Sequence, residues 1–406
     1  MSAKNFPGLF VVPLVVVGFL VLTAPLFGAS SYRVLHSFNG ADGANPVANL
    51  VFDAAGNLYG TTGSGGVKSQ GTVFQLAPAN GKWAEKVLHS FDTADGSGPL
   101  GGLIFDAAGN IYGTAEFGGT NNEGVVFELT RVGGKWTEKV LHNFTYFGGA
   151  WPMCSLVFDA AGNLYGTAGG DGRYSAGVAF ELTLVNGKWK EKVLHQFKDV
   201  DGVNPEGGFI FDTAGNLYGS TFEGGPIGQG TVFELQQSGG KWTESVIYGF
   251  TQGIDGSSPR GNLISDGAGN LYGTTVSRGG HYNGNVFMLT PAQGGGWTET
   301  ILYAFGDNGA YDGAHPLSSL VMDGAGNLYG TTQFGGVHNG GTVFKLSQRG
   351  GIWRETILHS FGKPTGAGPD GYAPWGSLVF DTAGNLYGTT SYGGPNDDGV
   401  VFELTP

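Results

Sequence analysis

Seven side chains stand one place after a loop proline, once in each of seven tandem units: Val47, Leu100, Met153, Glu206, Arg260, Leu317 and Trp375. Four are apolar. The other three are a carboxylate, a guanidinium and an indole, which together are able to bind a polar ligand, orient it and exchange protons with it. Glu206 and Arg260 come from consecutive units, so they are placed to pair; a rim ion pair of this kind contributes about 0–1 kcal/mol. Aromatics share the same loops: Tyr146 and Trp151 in the third unit, Tyr372 and Trp375 in the seventh. Rings on exposed loops either stack on sugars and peptides or cap the core.

Two further sets of residues suggest chemistry. An Asp-Gly pair recurs at Asp42, Asp95, Asp201, Asp255, Asp312 and Asp370, with Gly148 in the remaining unit. A calcium site needs six to eight oxygens close together. One Asp per unit, each followed by Gly, reads instead as a turn device. Five histidines, His36, His89, His142, His195 and His359, alternate with Tyr248 and Tyr303 at matching places. Residues spread around a ring cannot share a zinc ion, and exchange with Tyr suits edge packing with a hydrogen bond. His281, His315 and His338 lie on variable loops, and the sequence allows them to gather near Asp312 as a metal or acid–base group. The sequence as a whole assigns no cofactor and no metal. Cys154 is the single cysteine, so no internal disulfide forms; it stands where other units carry Gly, Ala or Ser and reads as a buried filler.

The elements that hold these residues follow from the repeat. The motif Asp-x-x-Gly-Asn-Leu/Ile-Tyr-Gly begins at Asp53, Asp106, Asp159, Asp212, Asp266, Asp323 and Asp381. A period near fifty indicates a solenoid, a propeller or an array. In the second unit, Trp83–Phe91 alternates apolar and polar residues as a half-buried strand does. Leu103–Phe105 is a short apolar strand, Asp106–Asn110 a tight turn, Ile111–Thr114 a strand, and Gly124–Leu129 another. Four short antiparallel strands per unit, with no helical period, make a propeller blade.

The count closes the ring. An outer-type strand at 32–38 precedes the first motif, and an unpartnered third-type strand at 399–404 ends the chain. Pairing them completes seven four-stranded blades and removes both sticky edges. The fold expected is therefore an all-β, seven-bladed propeller over residues 30–406. The turns of the Asp-x-x-Gly-Asn and Gly-Gly-Lys-Trp type fall on one rim and hardly vary. The loops with proline and the glycine-rich loops fall on the other rim and vary in length and residue. Variation in loops on a fixed frame is where binding is expected.

Residues 1–29 differ from the rest. Lys4 precedes an apolar stretch from Leu9 to Leu22, and the small residues Gly28, Ala29 and Ser30 follow. This is a secretory signal pattern; an uncleaved anchor is the alternative. The whole chain carries 20 basic and 33 acidic residues, a net charge of −13; without Lys4 it is −14. Such a surface repels nucleic acid and anionic lipid, so neither is an expected partner, and a membrane association would need the uncleaved anchor.

The run Tyr-Gly-Thr-Thr-x-x-Gly-Gly-x-x-x-x-Gly-Thr-Val-Phe at Tyr329–Phe344 recurs with small changes from Tyr59, Tyr112, Tyr218 and Tyr387. It resembles the tandem repeat of bacterial GloVer-type (Gloeo-Verruco) extracellular proteins. The resemblance implies a secreted or surface-exposed protein and carries no defined activity. A looser likeness joins the Asp-x-x-Gly-Asn-Leu-Tyr hairpins to lactonase and lyase propellers. Those enzymes use polar residues on inner strands, where this chain has mostly Leu, Val, Ile and Phe.

The expectation is a secreted monomeric binding module whose loop rim takes a glycan, a peptide or a surface protein. The candidate residues are Glu206, Arg260, Trp375, Trp151, Tyr372, Asp312 and His315. The competing readings are an extracellular lyase or hydrolase at the channel mouth and a purely structural envelope component. An enzyme would place two titratable groups with shifted pKa values at one end of the channel.

Overall fold

The computed structural model describes residues 30–251, 253–307, 309, 311–363 and 368–406. The proposed signal segment lies outside the described residues. Every named element is a β-strand, and no helix among the described residues is long and apolar enough to cross a membrane.

Seven antiparallel sheets, one per repeat, form the seven blades. Blade 2 shows the pattern: inner strand Ile104–Phe105, second strand Ile111–Ala115, third strand Val125–Val132 and outer strand Lys135–Asn143. Blade 7 takes Val379–Phe380, Leu386–Thr390 and Val400–Thr405 from the C-terminal end and Ser31–Ser37 from the N-terminal end. The closing register runs from Ser31 opposite Thr405 to Ser37 opposite Val400, with a shift between Val34 and His36. The same shift occurs in the outer pairings of blades 1 to 6, so the joint made from the two ends repeats the geometry of the continuous blades.

The hydrophobic core sits between blades. One cluster joins Tyr59, Val73 and Phe91 of blade 1 to Leu103, Ile111, Phe127 and Leu129 of blade 2. At every seam a fully buried Phe after the outer strand meets a Phe of the next blade, edge-on at six seams, as Phe91 meets Phe127 at 5.0 Å and Phe38 meets Phe74 at 5.1 Å, and tilted where Phe361 meets Phe402 at 5.2 Å. Each such ring contributes roughly 1.5–3 kcal/mol by burial alone.

The loops are bolted to the preceding blade. The residue before each loop proline has φ between +52° and +63°, and six of the seven are not glycine: Asn45, Trp151, Asn204, Ser258, His315 and Ala373. This conformation splits the backbone bonds of one residue between two blades. The Trp151 N–H donates to the Glu123 carbonyl of blade 2, while its own carbonyl accepts from Gly169 of blade 3. The proline then rests on a glycine of the preceding blade. A Cβ on Gly124 would lie 2.5 Å from Pro152 Cδ, and one on Gly399 would lie 2.6 Å from Pro46 Cδ.

Candidate functional site

That bolting carries the post-proline residues to the axis. Val47, Leu100, Met153, Glu206, Arg260, Leu317 and Trp375 all line one cavity of about 100 Å³ at the channel mouth. Beneath them lies a belt of small and amide side chains. Backbone N–H groups donate around the ring: Gly208 to Asn262, Asn262 to Ser319, Ser319 to Ser377, Ser377 to Asn49, and Gly102 to Ser155. The belt has two gaps, where Gly102 and Gly208 offer no side chain to accept. Crowding explains Gly208, since a Cβ there would lie 2.2 Å from the Ser155 carbonyl oxygen.

The polar part of the mouth is a fixed arrangement. Asn204 donates to Glu206 at 2.9 Å, Arg260 pairs through Nε with the other Glu206 oxygen, and the guanidinium lies over the Trp375 ring at 4.9 Å. The Glu206 side chain is only 10% exposed, so the pair is not the solvated rim salt bridge expected from sequence. Burial raises the Glu206 pKa above the usual carboxylate range, against the pull of Arg260. Sequence reasoning missed Glu116. Burial pushes it up to about 7, the negative charge of Glu206 adding to the shift and Arg260 opposing it. Its signal was available: Glu116 occupies a ring position where the other blades carry Gly63, Gly169, Phe222, Val276, Gln333 and Ser391.

The remaining candidates do not join this site. Trp151 is 43% exposed, with its ring against Gly170. Tyr372 is half-buried in a two-residue bridge to Tyr392. The gathering of His281, His315 and His338 on Asp312 that the sequence allows does not form among the described residues. The Asp312 carboxylate accepts from Tyr303, on the outer strand Trp297–Ala304, at 2.7 Å and from the Gly306 N–H of the turn after it at 2.6 Å. His281 pairs instead with Asp307 at 2.9 Å, and His315 meets Phe334 edge-on at 5.6 Å. Cys154 is buried as expected, its thiol pKa raised by desolvation.

The Asp-Gly turns and the outer-strand histidines prove to be one feature. Asp42, Asp95 and Asp201 each accept a turn N–H, from Asn39, Asp92 and Lys198. Each also faces the histidine that precedes it: His36 at 3.2 Å, His89 at 3.0 Å and His195 at 3.3 Å.

On the other rim the motif aspartates are saturated. Asp159 accepts from the Ala161 and Asn163 N–H groups, the Asn163 amide and the Tyr165 hydroxyl, and the other blades repeat this set. No acceptor capacity is left over for a ligand.

The model of the Gloeobacter/Verrucomicrobia repeat matches residues 25–209 and 152–402. No curated protein matches the sequence. Among solved structures, the extracellular domain of a one-component system from B. thetaiotaomicron aligns with a TM-score of 0.55 at 11% identity, covering 88% of this chain. This chain spans 38% of that protein's chain. A Bacteroides uniformis protein named a 6-phosphogluconolactonase aligns with a TM-score of 0.51 at 15% identity, covering 76% of this chain and 84% of its own. At these identities the likeness is one of fold. Repeat and ring together make the assignment: the chain belongs to the Gloeobacter/Verrucomicrobia repeat family.

Proposed function

We propose that this is an exported binding module whose ligand enters the channel mouth on the loop rim. One observation carries the reading: in seven copies of one frame, the post-proline position brings chemically different side chains to a common cavity, and three of them interlock as Glu206, Arg260 and Trp375. A positioned ion pair on an indole face, above the amides of Asn49 and Asn262, suits a small hydroxylated or amide-bearing group such as a glycan terminus or peptide. The leader-like residues 1–29 and the similarity to an extracellular propeller domain support export.

The test is a thermal-shift screen of the protein against glycans and short peptides. A ligand that binds only the native state raises Tm. The expected hit loses its shift in Trp375→Ala and in Glu206→Gln. A hit insensitive to both substitutions places binding elsewhere, and no hit in the panel removes the proposal.

A hydrolase or lyase is the second reading, favoured by one observation. Glu206 and Glu116 both have raised pKa values beside the same mouth, the arrangement expected of an enzyme's acid–base pair. Turnover of a polymer or lactone that vanishes in Glu116→Gln, with binding retained, would establish it.

A further inference from the structure

Far from the channel, the blade seams hold another repeated feature. Each seam brings together an outer-strand residue of one blade, the Asp of the following loop, and a residue two places after the Trp of the next outer strand. At three seams the set is complete as His, Asp and Glu: His36, Asp42 and Glu85; His89, Asp95 and Glu138; His195, Asp201 and Glu244. In each, one imidazole nitrogen and two carboxylate oxygens lie within 4.8 Å of one another.

We propose that these three seams are sites for a divalent first-row transition metal, with zinc as the reference ion. Ligand atoms about 2.0–2.2 Å from one ion lie roughly 3–3.5 Å from each other. The His-to-Asp separations of 3.0–3.3 Å already match that spacing, and the Glu needs only a small approach. One nitrogen with two carboxylate oxygens suits zinc, manganese, cobalt or nickel and disfavours calcium, which takes oxygens. All three residues of each set are half-buried.

A second observation points to a missing cation. Each imidazole is held against an aspartate inside its seam: His36 Nε2 and His195 Nε2 are sealed from solvent, and His89 Nε2 hydrogen-bonds Asp95 at 3.0 Å. Glu85, Glu138 and Glu244 each bury an Oε1 that has no donor, as do Glu191 and Glu299 at seams without the full set, so this oxygen marks the Glu position and the adjoining imidazole and Asp mark the three complete sets. In each set the two carboxylates face each other and the imidazole across a half-buried gap. A bound cation would serve all of these groups at once.

The other four seams lack the full His, Asp and Glu set. Tyr248 and Tyr303 replace His, and their hydroxyls donate to Asp255 at 3.2 Å and Asp312 at 2.7 Å. Between blades 6 and 7, Tyr32 takes the Glu place and stacks on His359 at 3.9 Å. Between blades 2 and 3, Gly148 stands where the Asp would be, leaving His142 and Glu191 3.6 Å apart.

The experiment is calorimetric titration of tag-free protein with Zn²⁺, with folding followed by circular dichroism. Three saturable sites per chain are expected. Glu85→Gln, Glu138→Gln and Glu244→Gln should each remove one site, and Glu299→Gln, at a tyrosine seam, none. His36→Tyr, His89→Tyr and His195→Tyr install the arrangement that the fold already tolerates at two seams, so a folded triple variant without zinc binding is expected. No saturable binding to the wild type, or binding unchanged in the folded triple variant, overturns the proposal.

Discussion

The two rims of the ring treat the same functional group in opposite ways. On the turn rim, burial pulls Asp159 upward, but two backbone N–H groups, the Asn163 amide and Tyr165 pull it further down, and its pKa ends below the usual range. Asp53, Asp106, Asp266, Asp323 and Asp381 behave alike. On the loop rim, burial acts on Glu206 and Glu116 without a matching set of donors, and both rise. Depth and donor supply both differ: Asp159 is the less buried group and has four donors, whereas Glu206 and Glu116 lie deeper with fewer. A carboxylate enclosed by its own turn is structural, whereas one desolvated and under-supplied with donors remains available to a ligand or a proton.

Asp159→Ala should break the stronger side of this contrast. It strips four donors of their acceptor, and a loss of about 2 kcal/mol is expected in chemical denaturation. A neutral result would mean that the turn glycine holds the hairpin unaided. Arg260→Ala should cost less, about 1–2 kcal/mol, because Glu206 is left buried without its partner. Adding Glu206→Gln to it should restore part of the loss; strict additivity would show that the pair does not couple. The smallest effect is one of pH. Glu116 has a folded pKa near 7 against an ordinary 4.5, so its favourable contribution is full below 4.5 and is lost as pH rises through 7. Wild type should therefore lose stability relative to Glu116→Gln between those values and run parallel to it above them. Melting curves across pH 4 to 8 test this, and parallel curves throughout would place Glu116 in open solvent.

The architecture was legible because repetition is a long-range signal carried by local residues. Seven Asp-x-x-Gly-Asn turns and one misplaced outer strand determine blade count and closure, and the register of Ser31 with Thr405 agrees. The channel mouth was legible for the same reason: one ring position follows each proline, so Glu206, Arg260 and Trp375 had to converge. What failed was contact between rings. His36, Asp42 and Glu85 belong to three different repeat positions, and only the blade-to-blade offset brings them together. The same offset sends Asp312 to Tyr303 rather than to the loop histidines. Glu116 was overlooked because its neighbours in the ring are mostly small or apolar.

The blade built from both ends has a consequence in time. Blades 1 to 6 are each made of consecutive residues and can pair as they emerge from synthesis. The strand Ser31–Ser37 emerges first among the described residues, yet its partner Val400–Thr405 emerges last. Until then one edge stays open, and Phe38, which is fully buried in the finished ring, has no Val401 to lie against. Blade 7, and with it the ring, therefore cannot close before Val400–Thr405 has been made, and until then the open edges beside it are free to pair with a second chain.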